Sequence, residues 1–371
     1  MEEILNAIAL TRISGFGGTL ATRLYSEMGS ATEIVGNIDS LGEVVEPSLA
    51  RKLQTAFRNG IGEAMHRAET EMEFCEKGHI DCIAMNSPLY PSRLRGCDDA
   101  PIIMFYRGTA NLNAEHILSV VGTRQCTEYG KDICRTMMSE LSQICPDTLI
   151  VSGLAYGIDI NAHRESLRNN LPTVGVLAHG LNQIYPSHHR QTAAEMVSNG
   201  GLLTEFMTDS FPDKGNFVRR NRIVAGMADA CIVVESACKG GSLITARLAS
   251  DYNRDVFAFP GRTSDKASSG CNMLIRENKA ALVESATDIA RMLCWDAKIA
   301  PRAVQRELFP TNLPEKEQAV VDALRDSDGK QINTLAIELN TPVSQLSATL
   351  FALEMKGIVK ALVGGKYKVI A

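Results

Sequence analysis

The feature that most constrains the fold is a short apolar run, residues 117–121, which ends at Gly122 and leads into a helical pattern from Tyr129 onward. A strand that ends in glycine and turns into a helix is typical of the first strand–helix connection of a nucleotide-type α/β fold. Backbone N–H groups at such a connection point towards a bound anion. Thr123 adds a hydroxyl, and Arg124 adds a planar cation suited to phosphate. The run therefore predicts a phosphate-binding position.

The same alternation of strand and helix patterns repeats over most of the chain. Strand-like runs follow at 148–151, 173–177, 201–204, 230–234, 255–259 and 281–283. Helical patterns lie between them at 129–144, 158–168, 187–199, 217–227, 242–251 and 271–278. Two earlier strand-like runs, 81–84 and 101–108, precede this region. So many alternations with short connections predict a parallel sheet covered on both faces, with its ligand beyond the carboxyl ends of the strands.

The length of 371 residues is too great for one compact core and indicates several domains. We expect a helical domain at 1–65, the α/β domain at 66–295, a proline-punctuated linker at 296–314 and a small domain at 315–371. The absence of an apolar run of spanning length and of a leader pattern predicts a cytoplasmic protein with no membrane contact. Ten cysteines without a C-x-x-C pair indicate no metal site, and we expect no cofactor.

The first of these domains contains a helix-hairpin-helix pattern over residues 9–24. Gly15 and Gly17 would allow a tight hairpin with positive φ, and Phe16 would pack between the two helices. Such hairpins often offer backbone N–H groups to DNA phosphates, but they also occur as simple packing elements. The acidic surroundings favour packing.

The last 57 residues predict three helices followed by a hairpin, which is the pattern of a winged helix. The helices are expected at 315–324, 332–339 and from 341 to 355, and the hairpin strands at 358–362 and 366–370. Winged helices often read the DNA major groove. Here the third helix carries no arginine, and only Lys356 lies at its end. Contact with another protein, or weak DNA binding, is thus at least as well supported as recognition of a specific DNA sequence.

A basic segment, residues 212–222, stands out in a chain whose formal net charge is −5. Any polyanionic partner needs basic groups gathered in one place, and this segment holds four against one acid. Phe217 and Arg220 share one helical face, while Arg219 and Arg222 share another. Basic groups follow phosphates, and a ring stacks on any base. The alternative is a solvated helix start with one buried arginine–carboxylate pair, to Glu205 or Asp229.

Other predicted strand ends carry glycines and polar residues, but no catalytic arrangement. Asp159 is placed to cap the helix after the Ser152-Gly153 turn, and a second glycine turn follows Lys239. There is no phosphate-binding loop of ATPases, no nucleophile elbow and no zinc-protease motif. We expect the adjacent histidines, His188 and His189, to be solvated, and His163 and His179 to be helix-surface or structural residues rather than catalytic ones. The sequence thus predicts a binding protein without enzymatic activity.

Several sequence blocks follow one another in a fixed order and spacing along the α/β region: Val121-Gly122-Thr123-Arg124, Tyr129-Gly130, Ser152-Gly153-Leu154-Ala155, Gly157-Ile158-Asp159, Ala162-His163, Tyr185-Pro186, Phe217, Arg220-Asn221-Arg222-Ile223, Gly241-Ser242-Leu243-Ile244-Thr245-Ala246 and Phe259-Pro260-Gly261. In this order and spacing they resemble the DprA/Smf family of DNA-processing proteins over roughly 80 to 290. The helical domain and the winged helix are similar to the family's more loosely.

The resemblance implies a non-catalytic protein that binds incoming single-stranded DNA in a basic pocket of an extended Rossmann-like fold. It implies that the protein loads the RecA recombinase onto that strand during natural transformation, and that it forms a homodimer. The residues expected to bind DNA are Gly122, Arg124, Ser152, Gly153, Tyr156, Lys214, Phe217, Arg219, Arg220, Asn221, Lys239, Gly240, Gly241 and Ser242. Those expected in the dimer contact are Asn272, Leu274, Ile275 and Leu282.

Three single positions and one three-residue segment depart from the family pattern. Tyr156 replaces a basic residue of some members, Ala178 replaces a usual glycine, and Lys239 stands where serine is common. The segment 277–279 replaces a Gly-Ala sequence close to the expected dimer contact.

Two alternatives to a DNA-binding mediator remain open from sequence. The first is a nucleotide N-glycoside phosphoribohydrolase of the lysine-decarboxylase-like Rossmann group, whose glycine block resembles residues 239–243. Its catalytic glutamate position is here Arg247, so the general acid/base carboxylate is missing. The second is a structural scaffold whose terminal domains recruit partners.

Overall fold

The computed structural model describes residues 1–295, 313–325, 327, 329–362 and 365–370, and the predicted linker lies outside these residues except for 313 and 314. The chain divides into two compact units, Met1–Lys298 and Ile299–Ala371. In the described ranges, no helix combines the length and the apolar character needed to cross a lipid bilayer.

The first unit begins with a helical region, as predicted, in which a short turn joins the first two helices. Its helices are α1 (Glu2–Arg12), α2 (Gly18–Met28), α3 (Ala31–Gly36) and α4 (Pro47–Lys77), with a 3₁₀ turn at Ile38–Glu43. The positive φ values fall on Gly15 and Gly18, at 91° and 57°. The prediction for Gly17 was wrong, because its φ is −149° and therefore extended. Phe16 is buried, with its ring centroid 6.5 Å from that of Phe57 on α4.

The predicted domain boundary at residue 65 is wrong, because it falls inside α4. This helix is continuous over 31 residues and buries a face that includes Leu53, Phe57, Ala64 and Ala68. That face shares one hydrophobic core with strands of the α/β region, so the two parts have no separating linker. Each part would expose apolar surface if the other were removed.

The α/β region is built on a nine-stranded sheet. Strands β1 to β9 are Asp81–Ala84, Ile103–Gly108, Ile117–Gly122, Leu149–Ser152, Thr173–Val176, Gly200–Thr204, Ala230–Glu235, Asp255–Ala258 and Ala281–Leu282. Their order is β1-β2-β6-β5-β4-β3-β7-β8-β9. The parallel sheet is confirmed for β3 to β9, while β1 and β2 add an antiparallel edge.

Helices cover both faces of this sheet. Helices α5 to α12 are Ser92–Arg95, Glu128–Ile144, Ile158–Arg168, Arg190–Ser198, Lys214–Gly226, Ser242–Asp251, Ser269–Arg276 and Ala286–Met292. Successive side chains of a strand point to opposite faces. In β3, Ile117 and Val121 accordingly belong to one core, and Leu118 and Val120 to another. Burial on both faces explains why these strands read as continuous apolar runs.

The chain order of the strands reverses at the centre of the sheet. From β3, successive strands proceed through β4 and β5 to β6 on one side, and β7 to β9 lie on the other. The crevice between the carboxyl ends of β3 and β7 is the usual ligand position in such folds. At the opposite edge, where the strands begin, the indole of Trp295 stacks on His116, with ring centroids 4.1 Å apart.

The second unit has the winged-helix arrangement predicted from sequence. Its elements are α13 (Glu315–Arg325), β10 (Lys330–Gln331), α14 (Ile332–Glu338), α15 (Val343–Met355), β11 (Val359–Leu362) and β12 (Lys366–Val369). Leucines from all three helices form its core with Ile358 and Val359. The two-residue β10, which pairs with β12, was missed because so short a strand leaves no periodic pattern.

Candidate nucleic-acid interface

A cleft of about 660 Å³ opens where the carboxyl ends of β3 and β7 diverge. We call it the switch-point cleft. Its walls come from the loops after β3 and β4, the glycine turn before α10 and the start of α9. The lining residues from the predicted set are Gly122, Arg124, Gly153, Lys214, Phe217, Arg220, Asn221, Gly240, Gly241 and Ser242.

Cationic and aromatic side chains from distant parts of the sequence meet in this cleft. The guanidinium carbon of Arg124 lies 5.2 Å from the centroid of the Phe217 ring. Lys214 is the first residue of α9 and lines the same cleft. Tyr185, from the loop after β5, places its ring 5.9 Å from Phe217. A cation held over a ring is attracted to its π face.

The loop that carries Arg124 is held by Glu235 at the end of β7. Thr123 donates its backbone N–H to the Glu235 carbonyl at 2.7 Å. The buried Glu235 carboxylate accepts the backbone N–H of Thr127 at 2.8 Å and its hydroxyl at 2.6 Å. Gly157 packs against the same loop, and a Cβ there would lie 2.0 Å from the Thr123 carbonyl oxygen. The position of Arg124 is therefore set by backbone contacts on both sides.

Arg220 was expected to contact phosphate, but its surroundings contradict that expectation. Its side chain is buried and donates to the carbonyl oxygens of Gly153 and Val176, at the ends of two strands. Burial lowers the pKa of Arg220 to about 10, while the Asp159 charge opposes that shift. The guanidinium thus ties the loops after β4 and β5 together from beneath Phe217, whose ring centroid is 6.0 Å away.

Asp159 also differs from its prediction as a helix cap. The N-cap of α7 is Gly157, and Asp159 lies in the first turn. Its carboxylate accepts the Ala155 N–H at 3.4 Å. Burial raises the pKa of Asp159, and the neighbouring Arg220 cation opposes that change. Asp159 and Arg220 are therefore two buried ionisable groups below the cleft, and the Arg220 cation favours the charged form of Asp159.

Ser152, another expected DNA contact, is wrongly predicted, because it is fully buried and donates its hydroxyl to Val120 at 2.6 Å. Arg219 is exposed, 3.4 Å from the Glu205 carboxylate and over the Phe206 ring. The alternative interpretation of the basic segment expected one buried arginine–carboxylate pair. Arg222 forms such a pair with Glu205, at 2.5 Å. Tyr156 and Lys239 are exposed beside the cleft rather than in its lining.

The histidines do not form a reactive group with the cleft. His163 and His179 are buried, which excludes the helix-surface alternative for them. His189 is also buried, so its predicted solvation is wrong; its ring nitrogen Nδ1 lies 2.9 Å from the Leu154 carbonyl oxygen. Arg247, at the catalytic glutamate position of the hydrolase alternative, is exposed and 3.6 Å from Asp251.

Two of the four residues expected in a dimer contact are engaged within the chain itself. The Asn272 side chain accepts the Gly261 N–H at 3.1 Å and donates to the Gly261 carbonyl at 2.9 Å. Leu274 is buried in the core. Leu282, on the edge strand β9, is 43% exposed, and Ile275 is half-buried.

Sequence reasoning missed the cleft roles of Tyr185, Val218 and Ile244. The signal that could have indicated Tyr185 is its place in the connection that follows β5. Val218 and Ile244 are apolar yet 49% and 42% exposed, and a helical pattern in the sequence does not indicate which apolar residues stay exposed.

The fold and cleft define a Rossmann-type α/β protein with a helical N-terminal region and a C-terminal winged helix. The chain belongs to the DprA/Smf family: the model of DNA recombination-mediator protein A matches residues 81–294, and that of the DprA winged helix domain matches 293–365. It is 32% identical over 300 residues to Protein Smf of Escherichia coli strain K12, over 80% of this chain and 79% of the relative. It is 36% identical over 248 residues to the DNA processing protein DprA of Bacillus subtilis strain 168, over 64% and 82%.

Two solved structures are similar to this one. DNA processing protein A from Streptococcus pneumoniae superposes with a TM-score of 0.64 at 30% identity, covering 76% of this chain and 95% of that one. The corresponding protein from Helicobacter pylori, studied for its single-stranded DNA binding mode, gives a TM-score of 0.52 at 29% identity, covering 58% and 95%.

Proposed function

We propose that this protein binds single-stranded DNA in the switch-point cleft and acts as a recombination mediator that loads RecA onto the strand during natural transformation. The observation that carries the proposal is the contact of Arg124 with Phe217, 93 positions apart in sequence, beside Lys214 in one cleft. The DNA-binding mode of the Helicobacter pylori relative supports the same ligand.

The chemistry of the cleft suits a sequence-tolerant contact with a single strand. Arg124 and Lys214 offer charge to phosphates, and the rings of Phe217 and Tyr185 offer faces on which any base can stack. Because the whole chain has a formal net charge of −5, attraction to DNA must come from this local group rather than from the global field.

The mediator acts without catalysis, in the cytoplasm, as a homodimer. Support for the absence of catalysis comes from the missing carboxylate at Arg247 and from the buried, structural settings of His163 and His179. Support for self-association comes from β9, an edge strand of the sheet on which Leu282 is exposed. Exposed edge strands that carry apolar residues favour pairing with another chain.

The decisive experiment measures the affinity for a fluorescent oligothymidylate at fixed salt. Arg124→Ala and Lys214→Ala should each lower the affinity by roughly tenfold or more, and each should reduce the slope of log K against log salt by about 0.7. Phe217→Ala should cost about 1–3 kcal/mol through lost stacking. Arg107→Ala is the matched control, since this exposed arginine lies on β2 near the amino end of β6.

Unchanged affinity in both Arg124→Ala and Lys214→Ala, with folding confirmed by thermal melting, contradicts the proposal. RecA loading is tested separately, by RecA-dependent ATP hydrolysis on a strand precoated with single-strand-binding protein. Wild-type protein should shorten the lag, and Arg124→Ala should not.

A further inference from the structure

A second groove, of about 880 Å³, lies beside the switch-point cleft within the first unit. One wall is the hairpin between α1 and α2, including Gly15, Gly17 and Gly18, and the other is formed by α9 and α10. We call it the hairpin groove. Val218 and Ile244 line both the groove and the cleft, so the two spaces meet across these side chains.

We propose that the hairpin groove is a second subsite for single-stranded DNA, which takes the nucleotides that continue beyond the switch-point cleft. The proposal rests on the proposed function, because its occupant is the same strand. Continuity across Val218 and Ile244 favours this occupant, since a strand leaving the cleft over this ridge enters the groove directly.

The charged side chains of the groove fit a polyanion at its mouth. Arg219 and Arg247 have side chains 59% and 84% exposed, with carboxylate partners at 3.4 and 3.6 Å. The Arg247–Asp251 pair is exposed on both sides and therefore weak. Glu205 is buried, but Arg222 lies closer to it than Arg219 does, so both exposed cations are available to phosphates. The third arginine, Arg222, is held inside by Glu205.

Three arginines line the groove, against two carboxylates. Asp99 accepts a hydrogen bond from the Tyr252 hydroxyl at 2.6 Å, which keeps it at the wall. Asp251 is the exposed partner of Arg247, at 3.6 Å.

The walls of the groove offer apolar surface to bases. Val218 and Ile244 form an exposed apolar ridge, against which the faces of bases can pack by the hydrophobic effect. The hairpin side is formed largely by glycine backbone. Gly17 is extended, and a Cβ there would meet no atom within 4 Å.

Gly17 therefore offers a substitution that changes the groove without straining the hairpin. Gly17→Glu adds bulk and negative charge to the lining, and Gly17→Gln adds similar bulk without charge. Arg247→Glu reverses a charge on the opposite wall. Neither position belongs to the switch-point cleft, so neither variant should alter binding to that cleft.

The experiment compares two oligothymidylates, one of about 5 nucleotides and one of about 15, a range that matches single-strand site sizes. Gly17→Glu and Arg247→Glu should each weaken binding of the long strand roughly three- to tenfold and leave the short strand unchanged. Gly17→Gln should have a smaller effect, and Arg107→Glu should lower neither affinity by more than about twofold, because that residue lies outside both spaces.

Three outcomes overturn the inference in distinguishable ways. In the first outcome, the short strand binds, Arg124→Ala abolishes that binding, and the groove variants leave binding of the long strand unchanged. The groove is then not a DNA subsite, and the proposed function stands. If neither strand binds the wild-type protein, the proposed function fails together with the inference. If Gly17→Gln is as harmful as Gly17→Glu and the salt slope is unchanged, the groove acts by shape alone, and its cationic subsite is excluded.

Discussion

Arg124 and Arg220 both place a guanidinium close to the Phe217 ring, at 5.2 and 6.0 Å, yet only Arg124 is exposed. Arg220 is used internally, because its side chain is buried and its Nη1 donates to the carbonyls of Gly153 and Val176. At the scale of single residues, the Phe217 ring thus contacts a buried cation, Arg220, on the inside and an exposed cation, Arg124, in the cleft.

This division of roles gives a prediction for neighbouring arginines. Arg220→Met should lower the free energy of unfolding by about 3–5 kcal/mol, because it leaves the Asp159 carboxylate buried without its cation. Arg219→Met, one position away, should change stability by less than about 1 kcal/mol, because the Arg219 side chain is exposed and Glu205 keeps its closer partner, Arg222. Urea denaturation of both variants at pH 7 measures the difference, and equal losses would contradict the buried role of Arg220.

The cleft could be predicted from sequence only as far as residue type and strand position allow. Arg124, Lys214 and Phe217 follow from a strand end and a basic helix start, and they do line one cleft. The mistakes at Arg220 and Ser152 share one cause: adjacent positions of a helix start or a strand end look alike in sequence. Which of them faces inward depends on packing that brings β3, β4 and β7 together.

At the scale of elements, helix α7 is held to the sheet through His163. The ring is fully buried, and its Nδ1 lies 2.7 Å from the Thr173 hydroxyl of β5. Burial, with smaller contributions from His189 and Arg220, lowers the pKa of His163 to about 3.

The helices and strands of the α/β region were predicted to within a few residues where both faces of a strand are buried. The extent of α4 was not, because its buried face includes small residues such as Ala64 and Ala68.

The lowered pKa of His163 predicts acid sensitivity. The unfolded chain takes up this proton near pH 6.5 and the folded protein only near pH 3, so the stabilisation is complete above pH 6.5 and is lost as pH falls between these values. From pH 6.5 to 5 the loss from this one residue should be about 2 kcal/mol. Urea denaturation at the two pH values measures it.

His163→Gln should reduce that pH dependence by a similar amount, whereas His66→Gln should leave it unchanged, because the His66 side chain is 86% exposed. If His163→Gln does not fold, NMR of the wild-type ring decides the question. Titration of His163 between pH 8 and 5 would refute the buried neutral form.

At the scale of the whole molecule, the division lies near residue 298 rather than at the hairpin-containing region. Residue 65 is internal to α4, whose Leu53 and Phe57 are buried in the core that also contains sheet residues. Sequence indicated the winged helix as a separate unit because prolines precede it. It could not show that the N-terminal helices share a core with the sheet, because that contact joins segments far apart in the chain.

Truncations test this organisation. A chain ending at residue 298 should keep the melting temperature of the first unit and bind a short oligothymidylate within about threefold of the full chain, because the cleft is complete in it. A chain beginning at residue 66 should be insoluble or molten, because it starts within α4 and exposes the shared core. Cooperative melting of the chain that begins at residue 66, measured by circular dichroism, would show that the α/β region folds without the N-terminal helices.

The stack of Trp295 on His116 has a practical consequence, because the chain contains one tryptophan. Its emission comes from a single known place, at the edge of the sheet where the strands begin, whereas the switch-point cleft is at the edge where they end. A nucleotide in the cleft has no direct route to quench this fluorophore. Any spectral change during a titration with oligonucleotide would then report motion transmitted through the sheet, with no dye attached.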